Sequence, residues 1–434
     1  MYLADRAAPA RAKTAADGSP RRPVRRVSQV VLALGAVSLI TDISSEMVTA
    51  VLPLYLVVSL GLSPLGFGTL DGVYNGVSAL VQLTGGHLAD RVRNHKLIAG
   101  LGYGLSALCK PLLILVQSLG PLGLVLALER TGKGLRTSPR DALISLSTPA
   151  ESRGRAFGVH RAMDTTGAVL GPITAFLILR AATDGYHAVF GVSACVAVLG
   201  VLVLVLFVPG KRQLTAEGFA GVADTPDRKP VNLREAAALL RLPRLRALTG
   251  CAMLLGLTTV SDAFVYLLLQ HRAHIGEEWF PLLPLGTSAV FLLLAVPAGV
   301  LADRVGRRAV FLAGHAGLLA GYALLLWAPA TPALPYLVLA LHGTFYAATD
   351  GVLPAAVSDV VPEELRGSGL ALVGTGQALA RFCCSLAFGA AWTLWGDTRA
   401  LSGSAVGLLL CALAAALVLR PAAGRPPLPA GDPR

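Results

Sequence analysis

Gly86-His87-Leu88-Ala89-Asp90-Arg91-Val92 and Gly299-Val300-Leu301-Ala302-Asp303-Arg304-Val305 differ at one position and stand 213 residues apart in a chain of 434. A second pair keeps the same offset: Pro149-Ala150-Glu151-Ser152-Arg153-Gly154 and Pro362-Glu363-Glu364-Leu365-Arg366-Gly367. Two matches at one offset near half the length mean that the chain holds two related halves, with little insertion or deletion between the matches. Each charged stretch lies between long apolar runs, so the duplicated unit is a set of helices with their connecting loops.

The composition says what surrounds those helices. The chain is 54% hydrophobic and only 14% charged, with a mean hydropathy of +0.65, where a soluble domain carries about 25% charged residues. A water-soluble chain this apolar would expose large adhesive patches, whereas a bilayer accepts them. Its 47 glycines suit close packing of membrane helices. All six cysteines, Cys109, Cys195, Cys251, Cys383, Cys384 and Cys411, fall in apolar segments without metal-ligand spacing and are expected as small interior hydrophobes.

A span needs ~20 mostly apolar residues to cross ~30 Å of hydrocarbon. Twelve stretches qualify: 28–58, 64–88, 97–117, 121–146, 154–180, 185–209, 245–271, 279–302, 309–328, 333–360, 365–395 and 399–419. Polar residues interrupt the fourth and tenth. With the N-terminus inside, 29 of the 37 Lys/Arg lie in cytoplasmic segments, those at the cytoplasmic ends of spans included; Arg180, Arg272 and Arg399 lie outside, and Lys110, Arg130, Lys133, Arg161 and Arg381 lie deep within spans. That asymmetry fixes the orientation. The net charge of +12 is therefore directed at anionic lipid headgroups and not at nucleic acid. Residues 1–26 carry seven Lys/Arg, but the apolar run after them, from Val27 to about Leu60, is too long for a cleaved signal.

The expected organisation is a basic cytoplasmic tail (1–26), a six-helix bundle (27–209), a cytoplasmic linker (210–244), a second six-helix bundle (245–420) and a cytoplasmic tail (421–434). Asn232 to Leu242 of the linker has the pattern of a short interfacial helix. Both tails are rich in Pro, Ala and Arg and are expected to be disordered. Parallel six-helix repeats predict an axis along the membrane normal, with a cavity between the halves.

Gly299-x-Leu301-Ala302-Asp303-Arg304-x-Gly306-Arg307-Arg308 resembles, without a gap, the loop signature of the major facilitator superfamily. The first copy departs from it, with Arg93, Asn94 and His95 where Gly-Arg-Arg/Lys is usual. The resemblance covers nearly all of residues 28–419. It implies an all-α membrane protein with twelve transmembrane helices in two pseudo-symmetric bundles that open to opposite sides in turn. It also implies that this loop latches a cytoplasmic gate, through Asp303, Arg304, Arg307 and Arg308 in the second half and Asp90 and Arg91 in the first. An Asp at a helix end can meet a neighbouring helix N-terminus and an Arg, and must release both when the halves rock.

Ionisable side chains inside spans cost several kcal/mol and mark cavities or partners, and here they crowd the first half. Span 1 carries Asp42 and Glu46 on one face; span 2 carries Asp71; span 3 carries Lys110; span 4 carries Glu129, Arg130, Lys133 and Arg136; span 5 carries Arg161 and Asp164. A rise of ~1.5 Å per residue puts Asp42, Asp71, Lys110, Glu129 and Arg130 roughly 9–13 Å from the outer surface, with Lys133 and Asp164 near the midplane. Opposite charges at similar depth are what a buried network requires. Asp42, Glu46, Asp71 and Glu129 are the expected proton carriers, with Arg130 and Lys110 as counter-ions. The second half is sparser, with Asp262, Asp350 and Arg381 as candidates to line its side of the cavity.

Leu128-Glu129-Arg130-Thr131-Gly132-Lys133-Gly134 resembles the span-4 arginine motif of the superfamily. Gly167-Ala168-Val169-Leu170-Gly171-Pro172 is similar to the G-x-x-x-G-P motif of its drug/proton antiporter branch, with Thr174-Ala175 in place of paired glycines. There Gly167 and Gly171 permit close packing and Pro172 bends the helix. The blocks Thr41 to Met47, Gly132 to Asp141 and His160 to Asp164 resemble a subgroup of bacterial permeases, and that resemblance brings no substrate with it. Arg136, Arg140 and Asp141, near the cytoplasmic end of span 4, could bind an anionic group or form the inner gate.

Gly132-Lys133-Gly134 lacks the spacing of a phosphate loop, which argues against a primary ATPase. No nucleophile–base arrangement, cofactor motif or metal-ligand pattern stands out. The sequence thus describes a transporter rather than an enzyme, read as a monomer in a bacterial inner membrane. The leading expectation is proton-coupled export of a small amphipathic molecule. Proton-linked uptake of a polar or anionic solute is the alternative. A non-transporting sensor or assembly partner would not need intramembrane charges on five spans.

Overall fold

The computed structural model describes residues 28–92, 94–149, 152–209, 239–362 and 365–419, with the side chains of 78–80, 82–92, 366–368 and 371 outside that description. The first half contains α1 (Gln29–Leu54), α2 (Pro64–Val92), α3 (His95–Leu115), α4 (Leu119–Leu146), α5 (Arg153–Ala181) and α6 (Gly185–Phe207). The second half contains α7 (Pro243–Gly256), α8 (Asp262–Ala273), α9 (Leu283–Val305), α10 (Arg307–Trp327), α11 (Leu334–Thr349), α12 (Val352–Val360), α13 (Arg366–Trp395) and α14 (Asp397–Val418). No strand occurs among the described residues. The basic tail, nearly all of the linker and the C-terminal tail fall outside them; of the expected interfacial helix only a 3-10 turn at Leu239–Arg241 is described.

Local signals set the helix starts. Ser28 caps α1 by accepting from the Val30 amide, and the Asn94 side chain caps α3 by accepting from the Leu97 amide; both satisfy first-turn amides that lack a partner. Pro53 removes one amide inside α1, and the chain then widens into a π turn at Tyr55–Ser59 before α2 starts at Pro64.

Among the described residues, eight helices are long and apolar enough to cross a membrane. The other four expected spans differ for identifiable reasons. Part of α2 lies outside the described side chains, and α4 carries too many charges for an apolar window. Spans 7 and 10 are broken. Span 7 divides into α7 and α8 around 257–261, and span 10 into α11 and α12 around Asp350 and Gly351. Breaks in lipid survive only where protein groups take up the freed backbone. At the first break the Tyr322 hydroxyl accepts from the Val260 amide at 2.8 Å, and the Cys384 thiol donates to the Thr259 carbonyl at 3.3 Å.

Within the first bundle α1 packs on α5 and α6, and α4 on α2 and α3; within the second, α11 packs on α9 and α10, and α7 on α13. The principal contact between bundles is α2 against α13. These helices approach so closely that a Cβ on Gly68 would lie 2.3 Å from the Ser385 carbonyl oxygen, and one on Gly389 2.5 Å from that of Pro64. The bundles meet at the end bearing the charge-poor connections. There the Leu65 amide donates to Thr393 Oγ1 at 3.0 Å, Tyr186 donates to Glu277 at 2.8 Å, and the Phe67 and Phe264 rings pack edge to face. Cys195 and Cys383, expected in the interior, are exposed on helix surfaces; a small, weakly polar thiol is equally at home against lipid.

Candidate functional site

The intramembrane charges of the first half form a ladder along α4. At one end Glu129 takes both Lys110 and Arg130, at 3.1 Å and 2.6 Å, and all three side chains are at most 7% exposed. Arg130 also lies over the Tyr74 ring, 3.7 Å from its centroid, and the Tyr74 hydroxyl is 2.7 Å from Thr49 Oγ1. The next rung pairs Lys133 with Glu46 at 3.2 Å, and the next Arg136 with Asp42 at 3.4 Å. Arg140 closes the ladder on Asp141 at 3.0 Å and Asp164 at 3.4 Å, and Asp164 also takes Arg161 at 3.1 Å. Arg140 donates to Ser38 Oγ, which lies 2.9 Å from His160 Nε2.

The spacing explains the ladder. Residues 130, 133, 136 and 140 recur every three or four positions and so share one stripe of a helix. Asp42 and Glu46 share one stripe of α1, which runs antiparallel to α4, so that 46 meets 133 and 42 meets 136. The α5 motif seats α1 in that register. A Cβ on Gly167 would lie 2.5 Å from the Leu39 carbonyl oxygen, and one on Gly171 2.8 Å from Glu46 Cβ. Bare backbone on α5 therefore lets the two acidic residues of α1 come within reach of α4.

Three placements depart from the sequence reading. Lys110 and Arg130 form ion pairs with Glu129 and with neither Asp42, Glu46 nor Asp71; Lys133 pairs with Glu46 and Arg136 with Asp42. Asp71 stands apart from the ladder, accepting from Ser385 Oγ of the other half at 2.6 Å and from Asn75 at 3.2 Å. At the loop signature, Arg307 is 3.9 Å from Asp303 but is bonded more directly to Asp359 and to the Ala355 carbonyl on α12, while Asp303 is 72% exposed. Arg308 bonds the Ala416 carbonyl and Arg304 is exposed. The side chains of Asp90 and Arg91 lie outside the described residues.

The second half adds two residues that the sequence reading passed over. Asp262, at the start of α8, accepts from Tyr346 at 2.5 Å and meets His342 Nε2 at 3.0 Å. At the repeat offset of 213, His342 falls on Glu129 and Tyr346 on Lys133. Both are neutral in a formal charge count, so only the internal repeat could have marked them. Asp350 and Arg381 lie in a separate pocket at the two helix breaks.

The family model of the Major Facilitator Superfamily matches residues 34–382 and 280–433. An uncharacterized MFS-type transporter of Methanocaldococcus jannaschii is 30% identical over 396 residues, covering 89% of this chain and 94% of that protein. Among solved structures, the nucleoside transporter NupG superposes with a TM-score of 0.76 at 13% identity, over 91% of this chain and all of that one. A bacterial homolog of the human lysosomal transporter Spinster, in an inward-facing conformation, superposes with a TM-score of 0.66 at 16% identity, over 92% and 95% of the two chains.

Proposed function

The chain belongs to the major facilitator superfamily and is a multi-pass membrane transporter, and we propose that it works by alternating access, with proton movement coupled to solute through the ladder on α1, α4 and α5. The observation that carries this is the uneven exposure of the ladder, in which Asp42 and Arg136 are 14% and 4% exposed and the two rungs before them differ more. The Lys110–Glu129–Arg130 end is sealed, whereas Lys133 and Glu46 are 30% and 26% exposed. A sealed set of charges holds helices together. An ion pair that water reaches can exchange its partner for a proton when the helices shift, because neutralising the acid leaves the cation free to move.

Asp42 and Glu46 are the proposed proton carriers, Lys133 and Arg136 their counter-ions, and Asp164 with Arg140 and Arg161 the relay toward the basic end. In this reading that end, with both termini, faces the cytoplasm of a bacterial cell, and the contacts at the charge-poor end belong to an inward-open state. Arg307 tied to Asp359 supports a gate role for the loop signature. Export of a small amphipathic molecule in exchange for protons is supported by the seating of Gly167 and Gly171 against the acids of α1. Uptake of a polar or anionic solute is supported by Lys133 and Arg161, two cations with substantial exposure.

The test is flux in proteoliposomes under an imposed pH gradient, with Asp42→Asn and Glu46→Gln singly and together. Gradient-driven flux is expected to fall at least tenfold in the double variant, while gradient-independent exchange persists. Unchanged coupling in that variant sinks the proposal.

A further inference from the structure

A pocket opens where the two broken spans of the second half meet α13. Its walls include Thr259 at the first break, Thr349 and Asp350 at the second, Phe345 on α11, and Gln377 and Arg381 on α13. Among the described residues, the side chains of Asp350, Gln377 and Arg381 have no hydrogen bond or ion pair, and Asp350 and Arg381 are too far apart to form one directly. The first half behaves differently, since each cation of its ladder has a carboxylate within 3.4 Å. An uncompensated charge inside a membrane protein is strongly unfavourable. Two of opposite sign line one pocket without direct contact, each in the other's field and Arg381 also in that of Asp262, and a dipolar group between them meets both directly.

We propose that this pocket binds a zwitterionic solute, with the anionic group on Arg381 and the ammonium group on Asp350. Arg381 offers a planar fork of donors that suits a carboxylate, phosphonate or phosphate. Asp350 offers only acceptors, as an ammonium requires. His315 also lines the pocket. Its Nδ1 is 2.8 Å from the Phe311 carbonyl and must donate there, which leaves Nε2 as an acceptor. The Phe345 and His315 rings, in edge contact at 5.2 Å, form a wall for an apolar substituent. A ligand carrying one charge satisfies one residue and strands the other; a dipolar ion satisfies both. The helix breaks that form the pocket are also where transporters place their sites, because irregular backbone is tolerated beside a cavity.

This assignment names a solute class for the transport reading and rests on it only for the role of the pocket, so it is tested by binding rather than by flux. The purified full-length protein in detergent is titrated while thermal unfolding is followed. The zwitterions are phenylalanine, glycyl-phenylalanine and 4-aminobutyrate, which differ in charge separation; the single-charge probes are phenylpropionate and phenethylamine. At least one zwitterion is expected to stabilise the protein, and the single-charge probes to bind at least tenfold more weakly. Asp350→Asn should weaken the zwitterion about tenfold and bring phenylpropionate level with it, because the ammonium then loses its charged acceptor. Arg381→Gln should do the same for phenethylamine. Equal binding of single-charge probes, binding indifferent to both substitutions, or binding of no zwitterion overturns the assignment. So does a double variant Asp350→Asn/Arg381→Gln that binds the zwitterion like the unaltered protein. Failure here with gradient-driven flux intact leaves the proton ladder standing.

Discussion

Asp71 on α2 and Ser385 on α13 meet at 2.6 Å across the two halves of the chain. The contact sits where α2 and α13 run against each other with almost no side-chain volume between them. It therefore ties the bundles together at the charge-poor end, and under the proposed alternating access it breaks when that end opens. Asp71→Ala removes a charged hydrogen bond, an effect of about 1.5–3 kcal/mol on the closed state, or a population shift of about tenfold or more. Spin-label distances between the ends of α2 and α13 are expected to lengthen and broaden in that variant. Ser385→Ala should act in the same direction, and a distance distribution unchanged in both would show that the glycine packing alone keeps this end closed.

Lys110, Glu129 and Arg130 form the most buried rung of the ladder. Glu129→Gln leaves two cations facing each other without an anion, a situation that costs about 3–5 kcal/mol in buried pairs. A marked fall in melting temperature is expected. Adding Lys110→Met removes the repulsion and should recover much of the loss, the mark of a pair held for structure. If the single variant unfolds normally but loses proton coupling, the sealed rung belongs to the transport cycle instead.

Gly171 lies where a Cβ would come 2.8 Å from Glu46 Cβ and 2.9 Å from the Ile43 carbonyl oxygen. Gly171→Val forces α5 away from α1 and pulls Glu46 out of reach of Lys133. Overpacking of this kind costs about 1–3 kcal/mol, so the fold survives while the rung does not. Gradient-driven flux should drop several-fold with only a modest loss of thermal stability. Gly191 on α6, with open space around it, is the control, and Gly191→Ala should leave both unchanged.

The membrane class, the two halves and the superfamily were all legible because each rests on a signal spread over many residues: hydropathy, the Lys/Arg bias and two repeats at one offset. The pairing of the ladder was not. Depth estimated from helix ends carries an error of several residues, and one turn is about 5.4 Å, longer than an ion pair. Depth therefore sets Asp42 level with Arg130 and Lys110, whereas its partner is Arg136, more than one turn farther along α4. Of the helix breaks, the polar interruption of the tenth span marks only the one at Asp350-Gly351; Thr258-Thr259-Val260-Ser261 carries no charge to mark the other, and nothing local says that Tyr322 and Cys384 take up its freed backbone. His342 and Tyr346 escaped because neither is charged in a residue count, although an acid on a neighbouring helix gives each of them a partner.

Arg307 discriminates between two readings of the loop signature. The motif places Asp303 four residues before it as the natural partner, yet the oxygen–nitrogen distance there is 3.9 Å and Asp303 is largely exposed. Asp359 and the Ala355 carbonyl, both on α12, hold the guanidinium directly. A solvated pair contributes about 0–1 kcal/mol, so Asp303→Asn should change the stability of the second half little. Arg307→Ala and Asp359→Asn should act alike, freeing α12 from the α9–α10 junction. Because α12 follows the break at Asp350, its release should also loosen the pocket there. Hydrogen exchange of α12 amides is expected to accelerate in both variants and to stay near the unaltered rate in Asp303→Asn. Equal acceleration in all three would return the latch to the aspartate of the motif.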